Sequence, residues 1–88
     1  MTPSSVQRLQ VNRSVDVRGL VSPTDYHKAK EALDALKDSQ VLELYLDEGE
    51  PLRRIPFGLR AEGHEILVSE PSKNGVRLLI RKRPPIAA

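Results

Sequence analysis

The sequence predicts an α/β fold: a two-layer sandwich with the element order β-α-β-α-β-β, in which two helices cover one face of a mixed four-stranded sheet. Two kinds of segment alternate along the chain. In one, apolar residues occupy every second position, as in strands, and in the other they recur every three or four positions, as in helices. Each strand segment has one apolar and one largely polar face, so helices are needed on one side only. The 88 residues suffice for a single small domain.

The first half of the chain predicts a strand-helix-strand unit. Strand 1 is expected at Ser14–Arg18, where valines alternate with charged residues, and Gly19 ends it. Helix 1 is expected at Pro23–Lys37, because apolar residues recur there at helical spacing. These residues are Tyr26, Ala29, Leu33 and Leu36. Strand 2, at Val41–Asp47, places three leucines on one face. Two strands joined through a helix should be parallel, with a right-handed crossover.

Helix 2 is predicted at Pro51–Glu62. Its buried line is expected to consist of Leu52, Ile55 and Leu59. Pro56 lies inside this segment, and an internal proline removes a helix hydrogen bond, so we expect the helix to kink or to split into two turns. Gly63 is expected to end the helix in the left-handed conformation.

Strands 3 and 4 are predicted at His64–Glu70 and Val76–Lys82. The pair Asn74-Gly75 between them is typical of a tight hairpin turn, which makes the two strands antiparallel. Strand 4 alternates between apolar and basic residues, so its apolar side chains should face the helices. These inward residues are Val76, Leu78 and Ile80.

The domain organisation follows from these elements. Residues 14–83 are expected to form the folded domain, residues 1–13 a flexible N-terminal arm, and residues 84–88 a C-terminal tail. No stretch is long and apolar enough for a membrane span. The first ten residues lack the apolar region of a secretory signal, so we expect a cytoplasmic protein. The mixed charges of the exposed face favour a monomer.

The composition excludes several kinds of site. The chain contains no cysteine, which rules out disulfides, thiolate metal sites and cysteine nucleophiles. Its acids and two histidines lack ligand spacing, so neither a metal nor a cofactor is expected. His64 is interpreted as a residue that packs at the start of strand 3.

The net charge is +2, from 14 basic and 12 acidic residues, and the basic residues crowd near the end of strand 4. They are Arg77, Arg81, Lys82 and Arg83. A solvated sheet face explains this cluster, and an RNA-binding face is the alternative. Sheets that bind single strands usually present several stacking aromatic residues, whereas this face offers only Tyr45. Nucleic-acid binding is therefore not favoured.

Four motifs, in register along the chain, carry a resemblance to a known family. They are DVRGL before a helix that opens on a residue-proline pair, HKAKEALDAL on helix 1 with a short acidic loop after strand 2, IPFGLRAEGHEIL, and GVRLLIRK in the last strand. From Val15 to Arg83 the chain resembles the TusA/SirA-like sulfur-carrier family. The resemblance implies a mixed sheet in which strand 4 lies antiparallel between strands 2 and 3.

The family motif is Cys-Pro-x-Pro, and its cysteine accepts sulfur as a persulfide at the start of helix 1. A helix N-terminus suits this chemistry because it lowers a thiol pKa. Here Ser22 occupies the cysteine position and Asp25 that of the second proline. A serine hydroxyl cannot hold a persulfide, and a carboxylate at Asp25 disfavours an anion nearby. The carrier chemistry is therefore expected to be absent.

Three interpretations of Ser22 are open. Serine at the N-cap, Pro23 at the first helical position and Asp25 at the third would form a favourable helix start. A serine nucleophile would need a general base within reach, and His27 and His64 are both poorly placed for it. Ser22 could also be an engineered replacement of a cysteine.

The candidate binding surface is the start of helix 1. Its residues are Arg18, Gly19, Ser22, Pro23 and Lys28, joined by Arg53 and Arg54 if helix 2 starts nearby. Arg18 and Lys28 could flank the helix N-terminus, where backbone N–H groups favour anions. The alternative places Arg18 on the open sheet face beside Glu43 or Glu65.

The leading hypothesis is a non-catalytic adaptor that binds another protein of sulfur or cofactor metabolism. One alternative is a sulfur carrier whose cysteine has been replaced by Ser22. The other alternative is a small RNA-associated protein that uses the basic last strand.

Overall fold

The computed structural model of the chain describes residues 10–84. They form six elements, in the predicted order: β1 (Arg13–Asp16), α1 (Thr24–Asp34), β2 (Val41–Leu46), α2 (Glu50–Ala61), β3 (Glu65–Ser72) and β4 (Gly75–Arg81). Both helices pack on the same face of the sheet, so the predicted two-layer α/β sandwich is confirmed.

The four strands form one mixed sheet in the order β1-β2-β4-β3. β1 and β2 are parallel, as their helical connection requires. β4 is antiparallel to both β2 and β3, which confirms the hairpin and the strand order that the family resemblance implies. Ser72 pairs with Gly75 across the hairpin, so the turn itself contains only Lys73 and Asn74.

The core lies between the helices and the inner face of the sheet. The helices contribute Ala29, Ala32, Leu33, Ile55 and Leu59, and the sheet contributes Leu42, Leu44, Leu46, Val76, Leu78 and Ile80. Full burial of a leucine or isoleucine side chain stabilises a fold by about 1.5–3 kcal/mol. The predicted alternation of β2 and β4 is confirmed, because it places these aliphatic side chains against the helices.

Some element ends differ from the prediction. α1 ends at Asp34 rather than Lys37, and β3 continues to Ser72. α2 runs through Pro56 as one helix, so the split, one of the two expected outcomes, is wrong. Burial of the proline ring offsets part of the lost hydrogen bond. Gly63 has a φ of 97°, and its N–H donates to the Arg60 carbonyl just after α2, as predicted.

The predicted N-terminal arm and C-terminal tail lie mostly outside the described residues. β1 begins at Arg13, which pairs with Leu42, so the last residue of the predicted arm belongs to the sheet. Neither of the two helices described here has the length and apolar character required to cross a membrane.

Candidate functional site

The start of α1 differs from the prediction at Ser22. Pro23 is the N-cap residue, and its carbonyl accepts the N–H of His27 at 3.0 Å. The N-cap residue makes no side-chain cap hydrogen bond, and the Ser22–Pro23 peptide bond is cis. The predicted capping role of Ser22 is therefore wrong, because the helix begins one residue later than such a cap requires. Ser22 and Pro23 lie exposed in the turn before α1.

The loop between β1 and α1 is tied to the end of β2. The Gly19 N–H donates to Asp47 Oδ2 at 2.8 Å, and the Val17 N–H donates to the Tyr45 carbonyl at 2.9 Å. Gly19 has a φ of 80°, a conformation that favours glycine. These bonds hold the turn that presents Ser22 close to the C-terminal end of β2.

Arg18 points to the open face of the sheet. Its Nε and Nη2 donate to the two carboxylate oxygens of Asp16 at 2.9 and 2.7 Å, and its Nη1 donates to the Lys73 carbonyl at 2.7 Å. The guanidinium carbon lies 5.4 Å from the centre of the Tyr45 ring. Side-chain and backbone hydrogen bonds from Arg18 lower the pKa of Asp16 to about 2. Arg18 is thus on the sheet face, as the alternative expected, although its partner is Asp16 instead of Glu43 or Glu65.

A buried ion pair joins the first turn of α1 to α2. The Asp25 side chain is almost fully buried, and its Oδ2 accepts Nη2 of Arg54 at 2.8 Å. Its Oδ1 accepts the backbone N–H of Tyr26 at 2.7 Å, while Nε of Arg54 donates to Glu50 at 2.6 Å. The Arg54 hydrogen bond holds the pKa of Asp25 below its usual range and outweighs burial, which alone would raise it.

Tyr26 and Gly58 form the second contact between the helices. A Cβ atom at Gly58 would lie 2.7 Å from the Tyr26 ring, so the close packing requires glycine. The Tyr26 hydroxyl donates to Glu62, which also pairs with Nζ of Lys30 at 3.2 Å. Burial and the neighbouring Glu62 carboxylate raise the pKa of Tyr26 to about 12. The neutral, hydrogen-bonding form of Tyr26 is therefore strongly favoured.

The predicted site residues are only partly brought together. Gly19, Ser22 and Pro23 share one turn, whereas Arg18 faces the sheet side and Lys28 lines a shallow polar depression between α1 and β1. Arg54 reaches the start of α1 through Asp25, as expected if helix 2 lay nearby, and the adjacent Arg53 is exposed.

The basic cluster of the last strand lies largely in ion pairs on the open sheet face. Arg77 binds Glu43 at 2.6 Å and Glu70 at 2.8 Å. Arg81 and Arg83 both pair with Glu65, at 3.5 and 2.9 Å. Lys82 instead donates to two carbonyls at the end of α1. Three of the four charges that suggested an RNA surface are thus paired with carboxylates within the protein.

Comparison with known proteins decides the family. The family model described as "Sulfurtransferase TusA" matches residues 13–82, which include all four strands and both helices. The chain belongs to the TusA family. A relative from Thermotoga maritima is 36% identical over 63 residues, which is 72% of this chain and 80% of the relative. One from Archaeoglobus fulgidus is 28% identical over 78 residues, 88% of this chain and 89% of the relative. Both are provisionally described as sulfur carrier proteins.

This TusA-family chain contains no cysteine, and Ser22, which the family resemblance places at the cysteine position, is exposed. It is a protein related to sulfur relay, but it offers no thiol on which a persulfide could form. The start of α1 can present a turn to another molecule, and it has no side chain capable of accepting sulfane sulfur. The described residues also contain no group of three or more acids and histidines arranged to hold a metal.

Sequence reasoning missed two features of this site. Asp25 shares the buried side of α1 with Ala29, and a carboxylate at a core-facing position needs a partner, so helical spacing alone could have indicated an ion pair. Val21, beside Ser22, leaves 75% of its surface exposed. An apolar residue in a turn, outside any strand or helix pattern, is the signal that could have identified it.

Proposed function

We propose that this chain is a non-catalytic adaptor of the TusA family, which binds a protein of sulfur or cofactor metabolism through the α1-start surface. That surface consists of Gly19, Val21, Ser22, Pro23 and Lys28. The proposal is supported by the exposure of Ser22, which the family resemblance places at the position of the reactive cysteine, in a chain that contains no cysteine. The chain matches the family over its whole sheet while it contains no thiol, so we infer that it acts by binding.

The geometry supports a contact role for this surface. Gly19 is held by Asp47, so the turn is anchored to the sheet before any partner arrives. Val21 is exposed beside Ser22 and Pro23, and it can bury apolar area against a partner without unfolding anything. Arg18 contributes by holding the neighbouring strand end, because its guanidinium is bonded to Asp16 and the Lys73 carbonyl. We expect the adaptor to act as a cytoplasmic monomer.

Site-specific photocrosslinking tests the proposal. A benzophenone amino acid is placed at Val21, and, as a matched control, at Val11, another exposed valine outside the proposed surface. After irradiation in cells of the source organism, the variant at Val21 should crosslink to a protein of sulfur or cofactor metabolism, identified by mass spectrometry. The control at Val11 should not capture that protein.

Two results would contradict the adaptor role. Equal capture of the same proteins from both positions would show that the α1-start surface is not the binding site. Sulfur transferred from labelled cysteine to the wild-type chain by a cysteine desulfurase would show that the chain carries sulfur after all. The variant Ser22→Cys serves as the positive control for that transfer.

A further inference from the structure

One side of α2 carries two arginines and a phenylalanine that contact solvent. Arg53, Phe57 and Arg60 are all exposed, and their spacing places them opposite the buried residues Ile55 and Leu59. Phe57 leaves 75% of its surface exposed. We call these three residues the α2 ridge. It shares no residue with the α1-start surface.

The two arginines of the α2 ridge are not neutralised by carboxylates of the described residues. Within residues 10–84, neither Arg53 nor Arg60 forms an ion pair, whereas Arg54 on the same helix binds both Asp25 and Glu50. Arg60 near the end of α2 is favoured by the helix dipole. Arg53 lies in the first turn, where the dipole disfavours a cation, so local helix energetics do not explain it.

A single exposed apolar residue is common on protein surfaces and does not by itself indicate a binding site. Here, however, Phe57 lies between two cations whose charge is not balanced inside the protein. Aromatic residues and arginine are the side chains that most often dominate protein interfaces. The combination fits a partner surface that supplies carboxylates on both sides of an apolar contact.

We propose that the α2 ridge docks an acidic protein segment, with Phe57 covered by an apolar side chain of that segment and Arg53 and Arg60 paired with its carboxylates. Single-stranded nucleic acid fits this surface less well, because such binders combine a basic groove with several stacking aromatics. The ridge is convex and has one aromatic residue. The inference goes beyond the adaptor role and does not depend on the α1-start surface.

A random peptide library selected on the immobilised chain tests this proposal. The enriched peptides should contain several acidic residues and at least one large apolar residue. Synthesised with a fluorescent label, they should bind the wild type with an affinity that Phe57→Ala lowers by about tenfold, as for an interface anchor. Arg53→Glu and Arg60→Glu should weaken binding as well, with the largest effect at low salt.

Matched controls separate this surface from the rest of the protein. Lys73→Glu makes the same kind of charge change in the β3–β4 turn, and Val21→Ala removes an exposed apolar group from the α1-start surface. Both should leave peptide binding unchanged, and all variants should keep the wild-type melting temperature.

Enrichment of neutral or basic peptides, or binding that survives Phe57→Ala, would overturn the proposal. So would competition by oligouridylate that depends on the same three residues, because the ridge would then be a nucleic-acid surface. If crosslinking from Val21 fails but the peptide results hold, only the proposed α1-start surface is contradicted.

Discussion

The open face of the sheet and the outer face of the helical layer differ in how their charges are balanced. On the sheet, Arg77 lies between Glu43 and Glu70, and Arg18 is bonded to Asp16 through two nitrogens. The two pairs of Arg77 follow from the antiparallel register of β4 with β2 and β3, which places oppositely charged side chains on neighbouring strands. The sheet face therefore contains many charges but little net charge for a partner to recognise.

The helical layer contains ion pairs as well, at Lys30 and Arg54, but among the described residues it also carries cations without such a partner. Arg53, Arg60 and Lys28 form no ion pair within residues 10–84, and Val21 and Phe57 expose most of their surface. The difference teaches that a cluster of basic residues in the sequence is a poor guide to a binding surface. What matters is whether the fold supplies carboxylates to those residues.

The largest expected effect separates two neighbouring arginines of α2. Arg54→Ala should lower the free energy of unfolding by about 2–4 kcal/mol, because buried Asp25 would lose its ion partner. Arg53→Ala, the matched control, should change it by less than about 0.5 kcal/mol, since Arg53 is exposed. Urea unfolding measures both values. If both variants lowered the free energy of unfolding equally, the ion pair with Asp25 would not explain the effect of Arg54→Ala.

The next effect concerns the contact that holds the helices together. Gly58→Ala should lower the free energy of unfolding by about 1–2 kcal/mol, because the added methyl group would overlap the Tyr26 ring. In a Tyr26→Ala background the same change should be neutral or stabilising, as alanine favours the helix. A double-mutant cycle from thermal or urea unfolding provides the comparison. If Gly58→Ala lowered the free energy of unfolding equally in the wild type and in Tyr26→Ala, the overlap with the Tyr26 ring would not be its cause.

A third prediction tests the balance of the sheet face. Glu43→Gln should lower the free energy of unfolding by about 1 kcal/mol, because its carboxylate accepts hydrogen bonds from Ser14 and Arg77. It should also give salt-sensitive binding of oligouridylate that the wild type lacks, since Arg77 would be less neutralised. The control Glu48→Gln removes an exposed acid that forms no ion pair within the described part of the chain. Wild-type binding as strong as that of Glu43→Gln would contradict the view that the sheet face is balanced.

The smallest effect is a pH dependence from His64. Its Nδ1 accepts the backbone N–H of Arg83 at 3.2 Å, and burial lowers the pKa of the ring from 6.5. The unfolded chain therefore takes up a proton before the folded one as the pH falls. Stability should be full above about pH 6.5 and decline below it, until the folded His64 also titrates.

The substitution His64→Gln should remove this slope between pH 5 and 7, as measured by urea unfolding across the range. His27→Gln is the matched control, because His27 is exposed on α1. If the pH dependence of stability persisted in His64→Gln and disappeared in His27→Gln, the effect would come from His27 and the prediction would be wrong.

The sequence predicted the framework of the site better than its contacts. The position of Ser22 before helix 1 was expected and is observed. The approach of helix 2 to that point was left as a condition, and the structure meets it through Arg54. The capping role of Ser22 was wrong, since the choice between two adjacent start positions depends on how the preceding turn is held. The sequence left open whether Arg18 lies beside the start of helix 1 or on the open sheet face. The contact that helps to decide this is with the Lys73 carbonyl, which is distant in sequence, and the partner Asp16 is only two residues away.

By itself the sequence determined the order of the elements, the hairpin between strands 3 and 4, the aliphatic core and the absence of a thiol. These features depend on residue type and on spacing along a few turns or a few strand residues, so local patterns encode them. The tertiary structure alone decided that Asp25 meets Arg54, that Tyr26 fits against Gly58, and which arginines remain unpaired. Such contacts join residues far apart in the chain, and they exist only once two layers have packed in one particular register.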